Sequence, residues 1–495
     1  YFIDPSQSLA ISTTISNGNR TSDGTTSTID SGPGDRKFIR TTSGNNDRNG
    51  YDVNLNYDKK FKNSKQKLTT YARFSDGIND GLDEYYNTDN GGVDYVNLDR
   101  AANGQDGTSS GYDFKLDYVH PFNEGSKLEV GFASKSTDRG DSQIAEIFNE
   151  ATNSFVSDRE FSNEFEYNET VHAAYLQYGG SIGFFGINAG GRYETVDMFS
   201  ELKTTNEKFE NPYSSFYPSL SVTFGAPQLL QIQTSYSKRV NRPRSRMINP
   251  FSSRQDNKNI RVGNPFLKPE YTDSYEINFS RFSRGLSLSL GGYYRHTTDK
   301  MQRHKEMRAD GVSVATYANI KDQKTQGIDY SVVGSLGKKL RLMFSGSVFW
   351  DEINTDLYGS DYDNTAQGQR LRFTTMWNIN PTTEFSFFMF YMPARDIAIG
   401  RMDAMSFSSM SVKKKFMDER FNLTLNVGDP FNLSGFSFYT SGDNWEQESS
   451  RNWSSRTIRL TLEYRFGKME DKSRYSRQRG RGQGMDMDEG AGEIF

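Results

Sequence analysis

Residues 235–282 read SYSKRVNRPRSRMINPFSSRQDNKNIRVGNPFLKPEYTDSYEINFSRF, and the two ends of this stretch decide the fold. On its left, Leu230, Ile232, Thr234 and Tyr236 alternate with Gln231, Gln233 and Ser235. On its right, Tyr275, Ile277 and Phe279 alternate with Glu276, Asn278 and Ser280. Period-two alternation predicts β-strands with one apolar and one polar face. Between them lies a long segment rich in Arg, Asn and Pro, including Asn249-Pro250-Phe251 and Gly263-Asn264-Pro265. Proline cannot donate to a sheet ladder and Asn-Pro favours turns, so this segment is expected to be a long ordered loop.

The same grammar runs outward in both directions. Leu9, Ile11, Thr13 and Ile15 share a face in a first strand at 8–16. Tyr51, Val53, Leu55 and Tyr57 alternate with Asp52, Asn54, Asn56 and Asp58, and Tyr112, Phe114, Leu116 and Tyr118 alternate with Asp113, Lys115 and Asp117. Near the end, Ile458, Leu460, Leu462, Tyr464 and Phe466 alternate with Thr457, Arg459, Thr461, Glu463 and Arg465. Short turns are expected at 181–186, 225–228, 283–285, 337–339, 380–383 and 415–419, alternating with long polar loops. The loops fall at about 17–50, 75–110, 139–168, 199–216, 240–273, 300–323, 354–367, 394–402 and 433–453. Short turns on one side and long loops on the other are the periplasmic and external ends of an outer-membrane barrel. The reading is therefore all-β, a transmembrane antiparallel up-and-down β-barrel of roughly 18 strands over residues 1–467. A soluble sandwich is the competing fold, but charges on so many polar faces suit a hydrated lumen better than a packed core.

Composition agrees. Over 495 residues the hydrophobic fraction is 34%, yet aromatics reach 14%, with 36 Phe and 28 Tyr. With a mean hydropathy of -0.77, this is unusual for a globular enzyme. It is expected where half of each strand faces water and aromatic girdles mark two membrane interfaces. No run approaches the ~18 apolar residues of a spanning helix. The net charge of -4 gives no reason to expect nucleic acid. The absence of cysteine fits an exported protein. Residues 468–495, basic and then acidic with Gly and Arg throughout, are expected to form a disordered periplasmic tail.

No catalytic constellation stands out, and no enzyme activity, cofactor or metal is expected. His120, His172, His296 and His304 lack metal-ligand spacing, and His304 is expected on a solvated external loop. The acidic runs at 94–106 and 361–363 lack the register of a calcium loop. The strongest charge feature is KRVNRPRSR at 238–246. Arginine forks pair carboxylates and phosphates, so one reading is an anion- or peptide-binding rim. The other is that these arginines hold the loop against acids such as Glu270 and Asp273.

The order RVNRP (239–243), NPF (249–251) and GNPFLKPE (263–270) resembles the barrel region of Bacteroidetes TonB-dependent receptors. The later NVGDPFN (426–432), followed by a strand ending at Phe466, resembles the closing strands of that family. The resemblance covers most of the chain in architecture, although the motifs occupy little of it. It implies 22 strands, an N-terminal plug and a TonB-engaging segment. None of these precedes residue 8, so the sequence is expected to be the C-terminal part of a longer polypeptide. The implied function is uptake of a solute across the outer membrane of a Gram-negative bacterium. Arg239, Asn241, Arg242, Asn249, Asn264 and Glu270 would then sit in a loop at the outer mouth. The implied partners are outer-membrane lipid and lipopolysaccharide, TonB, and a surface lipoprotein or other outer-membrane subunits. The alternative is a non-transporting or plugless barrel that serves as a structural subunit of an outer-membrane complex.

Overall fold

The structure is a computed structural model that describes residues 2–466, apart from 5, 31–35, 62–64, 90–98, 150, 160, 227, 257–258, 309–311, 356–361, 398–399, 443–444 and 453–455. The sequence 467–495, including the expected tail, lies outside the described residues, as do Asp94 and Asp361 of the acidic runs. Eighteen strands form one antiparallel meander, each bonded to its neighbours in chain order. The first six are β1 (Gln7–Asp30), β2 (Arg36–Lys60), β3 (Lys67–Asp89), β4 (Asp99–Pro121), β5 (Ser126–Asn149) and β6 (Asn163–Ile182). Next come β7 (Phe185–Leu202), β8 (Tyr213–Ala226), β9 (Leu230–Asn241), β10 (Glu270–Ser283), β11 (Leu286–Met307) and β12 (Ser313–Leu336). The last are β13 (Leu340–Thr355), β14 (Tyr362–Asn380), β15 (Thr383–Met392), β16 (Met405–Phe416), β17 (Phe421–Gly428) and β18 (Thr457–Tyr464). Five short strands extend this sheet to 23, and four more form a separate small sheet from 395–402 and 435–452. Among the described residues no ladder joins β1 to β18.

The strands flanking the motif loop pair directly, with Tyr236 opposite Tyr275, Thr234 opposite Ile277 and Ile232 opposite Phe279. Paired residues share a face of a sheet, so the alternation in each strand adds to that of its neighbours. Tyr275, Ile277 and Phe279 are exposed, as are Leu220 on β8, Leu290 on β11 and Ile328 on β12. Ile15 on β1 is 81% exposed. A continuous apolar face open to this degree would be an aggregation surface in water, and is the lipid-facing surface of a membrane barrel. Aromatics border it at both ends. Tyr236, Tyr275 and Tyr294 follow one another across β9, β10 and β11 with ring centroids 5.0 and 6.4 Å apart. Towards the short turns, Phe185 meets Phe224 at 4.8 Å and Phe416 meets Phe421 at 5.7 Å.

The opposite, inner face carries the charges and satisfies them locally. Arg73 pairs with Asp52, Lys67 reaches Asp58 at 2.8 Å, and Tyr175 donates to Asp117. The face assignment yields a direct test. Ile277→Arg puts a charge on the lipid face between the tyrosine row and the phenylalanine row and should destabilise the barrel by about 2–4 kcal/mol. Ser235→Arg, on the inner face of the neighbouring strand, should cost far less. Urea unfolding in liposomes measures both.

Several expected loops are strands instead. Ladder pairing continues from Asn17 opposite Asn49 out to Asp30 opposite Arg36, and from Ser75 opposite Gly111 to Asn87 opposite Asp99. Most of 139–168, 300–323 and 354–367 is likewise strand, within β5, β6, β11, β12, β13 and β14. Crossing a bilayer needs only about 9–11 residues per strand, so the 24 residues of β1 continue far beyond it. Beyond the membrane both faces are wet, and nothing selects for apolar alternation. Side-chain ladders hold these polar extensions: Asn17 donates to Asn49 at 2.6 Å, Asn19 to Asp47 at 2.6 Å and Arg48 to Asn79 at 2.9 Å. His304 is a second correction. It lies within β11, buried, with Nε2 2.8 Å from Glu306, rather than on a solvated loop.

Candidate functional site

The connection between β9 and β10 folds back onto the inner face as a compact body. Its first element is a single helical turn, α1 (Ser245–Ile248). Asn249 ends the turn in an extended conformation, φ -61° and ψ 108°. Pro250 requires this, because its ring excludes the helical region for the residue before it. The two Asn-Pro-Phe triplets then build the same device. The Asn249 Oδ1 accepts from the Phe251 N–H at 3.1 Å, and the Asn264 Oδ1 from the Phe266 N–H at 3.0 Å. These are Asx-turns, in which a short side chain replaces a backbone acceptor.

The two turns are joined by their backbones. The Gly263 N–H donates to the Asn249 carbonyl at 2.8 Å and the Asn264 N–H to that of Met247 at 2.7 Å. A Cβ on Gly263 would fall on the Asn249 carbonyl oxygen and stand 2.8 Å from its nitrogen. Gly263→Ala should therefore force the turns apart. It should speed cleavage of the loop in limited proteolysis while leaving the thermal unfolding of the barrel little changed.

The loop is anchored by apolar packing and by polar clamps. Leu267, Ile248 and Met247 are buried in one cluster with Phe165 and Tyr167 of β6, Met198 and Leu202 of β7, and Met301 of β11. The Asn264 Nδ2 donates to the Tyr317 carbonyl at 3.0 Å. Asn319 on β12 holds the end of the loop on both sides. Its Oδ1 accepts from the Lys268 N–H at 2.8 Å, and its Nδ2 donates to the carbonyls of Lys268 at 2.9 Å and Asp299 at 2.7 Å.

The six residues expected at the mouth divide by role. Buried Glu270 accepts from the Asn241 Nδ2 at 2.8 Å and the Met301 N–H at 2.9 Å, with the Lys300 Nζ at 3.3 Å. Arg242 donates through Nε to the Tyr213 hydroxyl at 2.7 Å and pairs with Glu194, which also holds Arg192 at 2.6 Å. Burial works against the Arg242 charge, but Tyr213, Glu194 and Glu169 together outweigh it and hold the guanidinium above its ordinary pKa. Asn249 and Asn264 make the turns. Arg239 stands apart, exposed and opposite Thr272 in the ladder. The expected acid partners are thus corrected: Arg242 is held by Glu194, while Glu270 serves Asn241 and Lys300, and Asp273 accepts from the Tyr236 hydroxyl at 2.7 Å.

Glu194, Asn319, Tyr213 and the β6–β7 half of the apolar cluster were not legible from the sequence. All lie on strands, and only the ladder brings them to the loop. Among the described residues no group of three His, Asp or Glu side chains could hold a metal ion. The four histidines are spread over three strands, with His120 on β4, His172 on β6, and His296 and His304 on β11.

The matching solved structures share this fold. The copper transporter OprC superposes with a TM-score of 0.53 at 10% identity, over 92% of this chain and 78% of that one. The ferric citrate transporter FecA gives 0.56 at 11% identity, over 90% and 70%. The siderophore receptor PiuA from Acinetobacter baumannii gives 0.53 at 11%, over 92% and 80%. A comparison with curated proteins finds no match. The family model described as the outer membrane protein beta-barrel family matches residues 59–464. The lipid-facing apolar face, the eighteen-strand meander and this match together establish a multi-pass barrel of the Gram-negative outer membrane, and the chain belongs to the outer membrane protein beta-barrel family.

Proposed function

We propose that this chain is the barrel of a TonB-dependent receptor that takes up a solute across the outer membrane. The observation that carries the reading is a fold shared along nine-tenths of the chain with transporters and a siderophore receptor. The motif loop supports it. A barrel that only fills space in a complex has no need of a folded body held against its inner wall by two Asx-turns, an apolar cluster and an ion pair. Within that loop Arg239 is the member open to a ligand, and Asn241, Arg242, Asn249, Asn264 and Glu270 set the shape of the mouth. Lipid and lipopolysaccharide cover the apolar face, and TonB supplies the energy through a segment outside this sequence.

The test is growth of a deletion strain on limiting iron, copper or organic acid, with and without a protonophore during short uptake assays. An uptake defect for one nutrient, abolished as a difference by the protonophore, is the expected result. Normal uptake of all of them, with loss of another outer-membrane protein from its complex, would favour the scaffold instead.

A further inference from the structure

Arg239 and Arg242 of the motif loop are solvated and ion-paired respectively, but Arg261 of the same loop and Arg303 of β11 are neither. Arg303 lies on the part of β11 beyond the membrane, opposite Tyr317 of β12. Arg261 lies on the short loop strand Asn259–Val262, which joins the other side of β12 in parallel with Arg261 opposite Ala315. Ala315 and Tyr317 are two residues apart on one strand, so Arg261 and Arg303 flank β12 on the same face. Tyr317 packs against the loop cluster, which makes this the inner face. Two ladder spacings and two residues of rise put the two Cα atoms roughly 12 Å apart, within convergence distance for two arginine side chains.

Both guanidinium groups lack an anionic partner among the described residues. The Arg261 Nε is fully buried with no hydrogen-bond acceptor. Arg303 is partly buried, and burial first and Arg261 second depress its pKa. A charge taken out of water is costly unless it is paired, and two like charges side by side raise the cost further. Arginine forks that converge without a carboxylate match the geometry of an incoming oxyanion.

We propose that Arg261 and Arg303 bind a carboxylate or phosphate group of a solute at the long-connection end of the inner face. The site deepens the uptake reading, on which it rests for its biological use, by naming an anionic solute as the class. Its position opposite the lipid-facing surface assigns the group to a solute rather than to a lipid headgroup.

The test uses the purified full chain in phosphatidylcholine vesicles at low ionic strength, titrated calorimetrically with inorganic phosphate and with citrate. Saturable binding of at least one anion is expected. It should weaken at least tenfold in Arg261→Gln and in Arg303→Gln, and be unchanged in Arg284→Gln at the opposite end of the barrel. Should a glutamine variant fail to fold, Arg261→Lys and Arg303→Lys carry the same test, since they keep the charge and lose the planar fork. Absence of saturable binding, or binding that none of these variants weakens, would overturn the site. Adding lipopolysaccharide to the vesicles should leave the affinity unchanged. A tenfold drop would reassign the site to lipid phosphate and overturn the solute assignment. Loss of binding in the variants with uptake intact would remove this site from transport and leave the uptake reading standing; intact binding with no uptake would do the reverse.

Discussion

Leu267→Ala should release the motif loop from the inner wall. Leu267 is fully buried among side chains from β6, β7 and β11 and from the loop's own helical turn. Truncating such a leucine costs about 2–5 kcal/mol, the range reflecting how far the cavity collapses. Here the cost falls on a local equilibrium, because the loop can lift while the ladders of β9 and β10 stay paired. Hydrogen exchange should show it. The amides of Gly263, Asn264 and Leu267, protected by bonds to Asn249, Met247 and Asn264, should exchange one to three orders of magnitude faster, while those of Tyr236 and Tyr275 hold their rates. Unchanged exchange in the loop would mean that the apolar cluster does not hold it.

The second large effect is expected from Glu194→Ala. Glu194 is almost fully buried and faces two arginines, Arg242 from the loop and Arg192 from its own strand. Removing one partner of a buried pair costs about 3–5 kcal/mol, because the remaining charge is stranded. Arg192 is the more exposed of the two and can turn to water, so most of the loss belongs to Arg242. Glu194→Ala combined with Arg242→Met should recover much of the stability, since it removes the stranded charge as well as its partner. Denaturant titration of the single and double variants in detergent checks this; equal destabilisation in both would refute the pairing.

The strands that cross the membrane were legible because lipid and water impose opposite demands on the two faces. Ile277 against Asn278, and Leu460 against Arg459, declare the sheet and its sides through residue type alone. The polar extensions were not legible, since Asn17, Asn19 and Asp47 pair across strands that are wet on both faces and follow no period. The motif loop was legible as a loop, and Pro250 and Pro265 marked its turns. Its partners were not. Glu194 and Asn319 are far from it in sequence and meet it only because the meander brings β7 and β12 to the same wall. Local chemistry named the residues that turn the chain; the acid that holds Arg242 was a matter of register.

One face of each membrane-crossing strand meets lipid, and the other faces the lumen. The chain has no cysteine, so single cysteines can be placed along β10 at positions 275–280 and labelled with a bimane fluorophore in reconstituted vesicles. Brominated lipid should quench the label at 275, 277 and 279 and spare it at 276, 278 and 280. Quenching without that alternation would contradict the assignment of faces and, with it, the barrel.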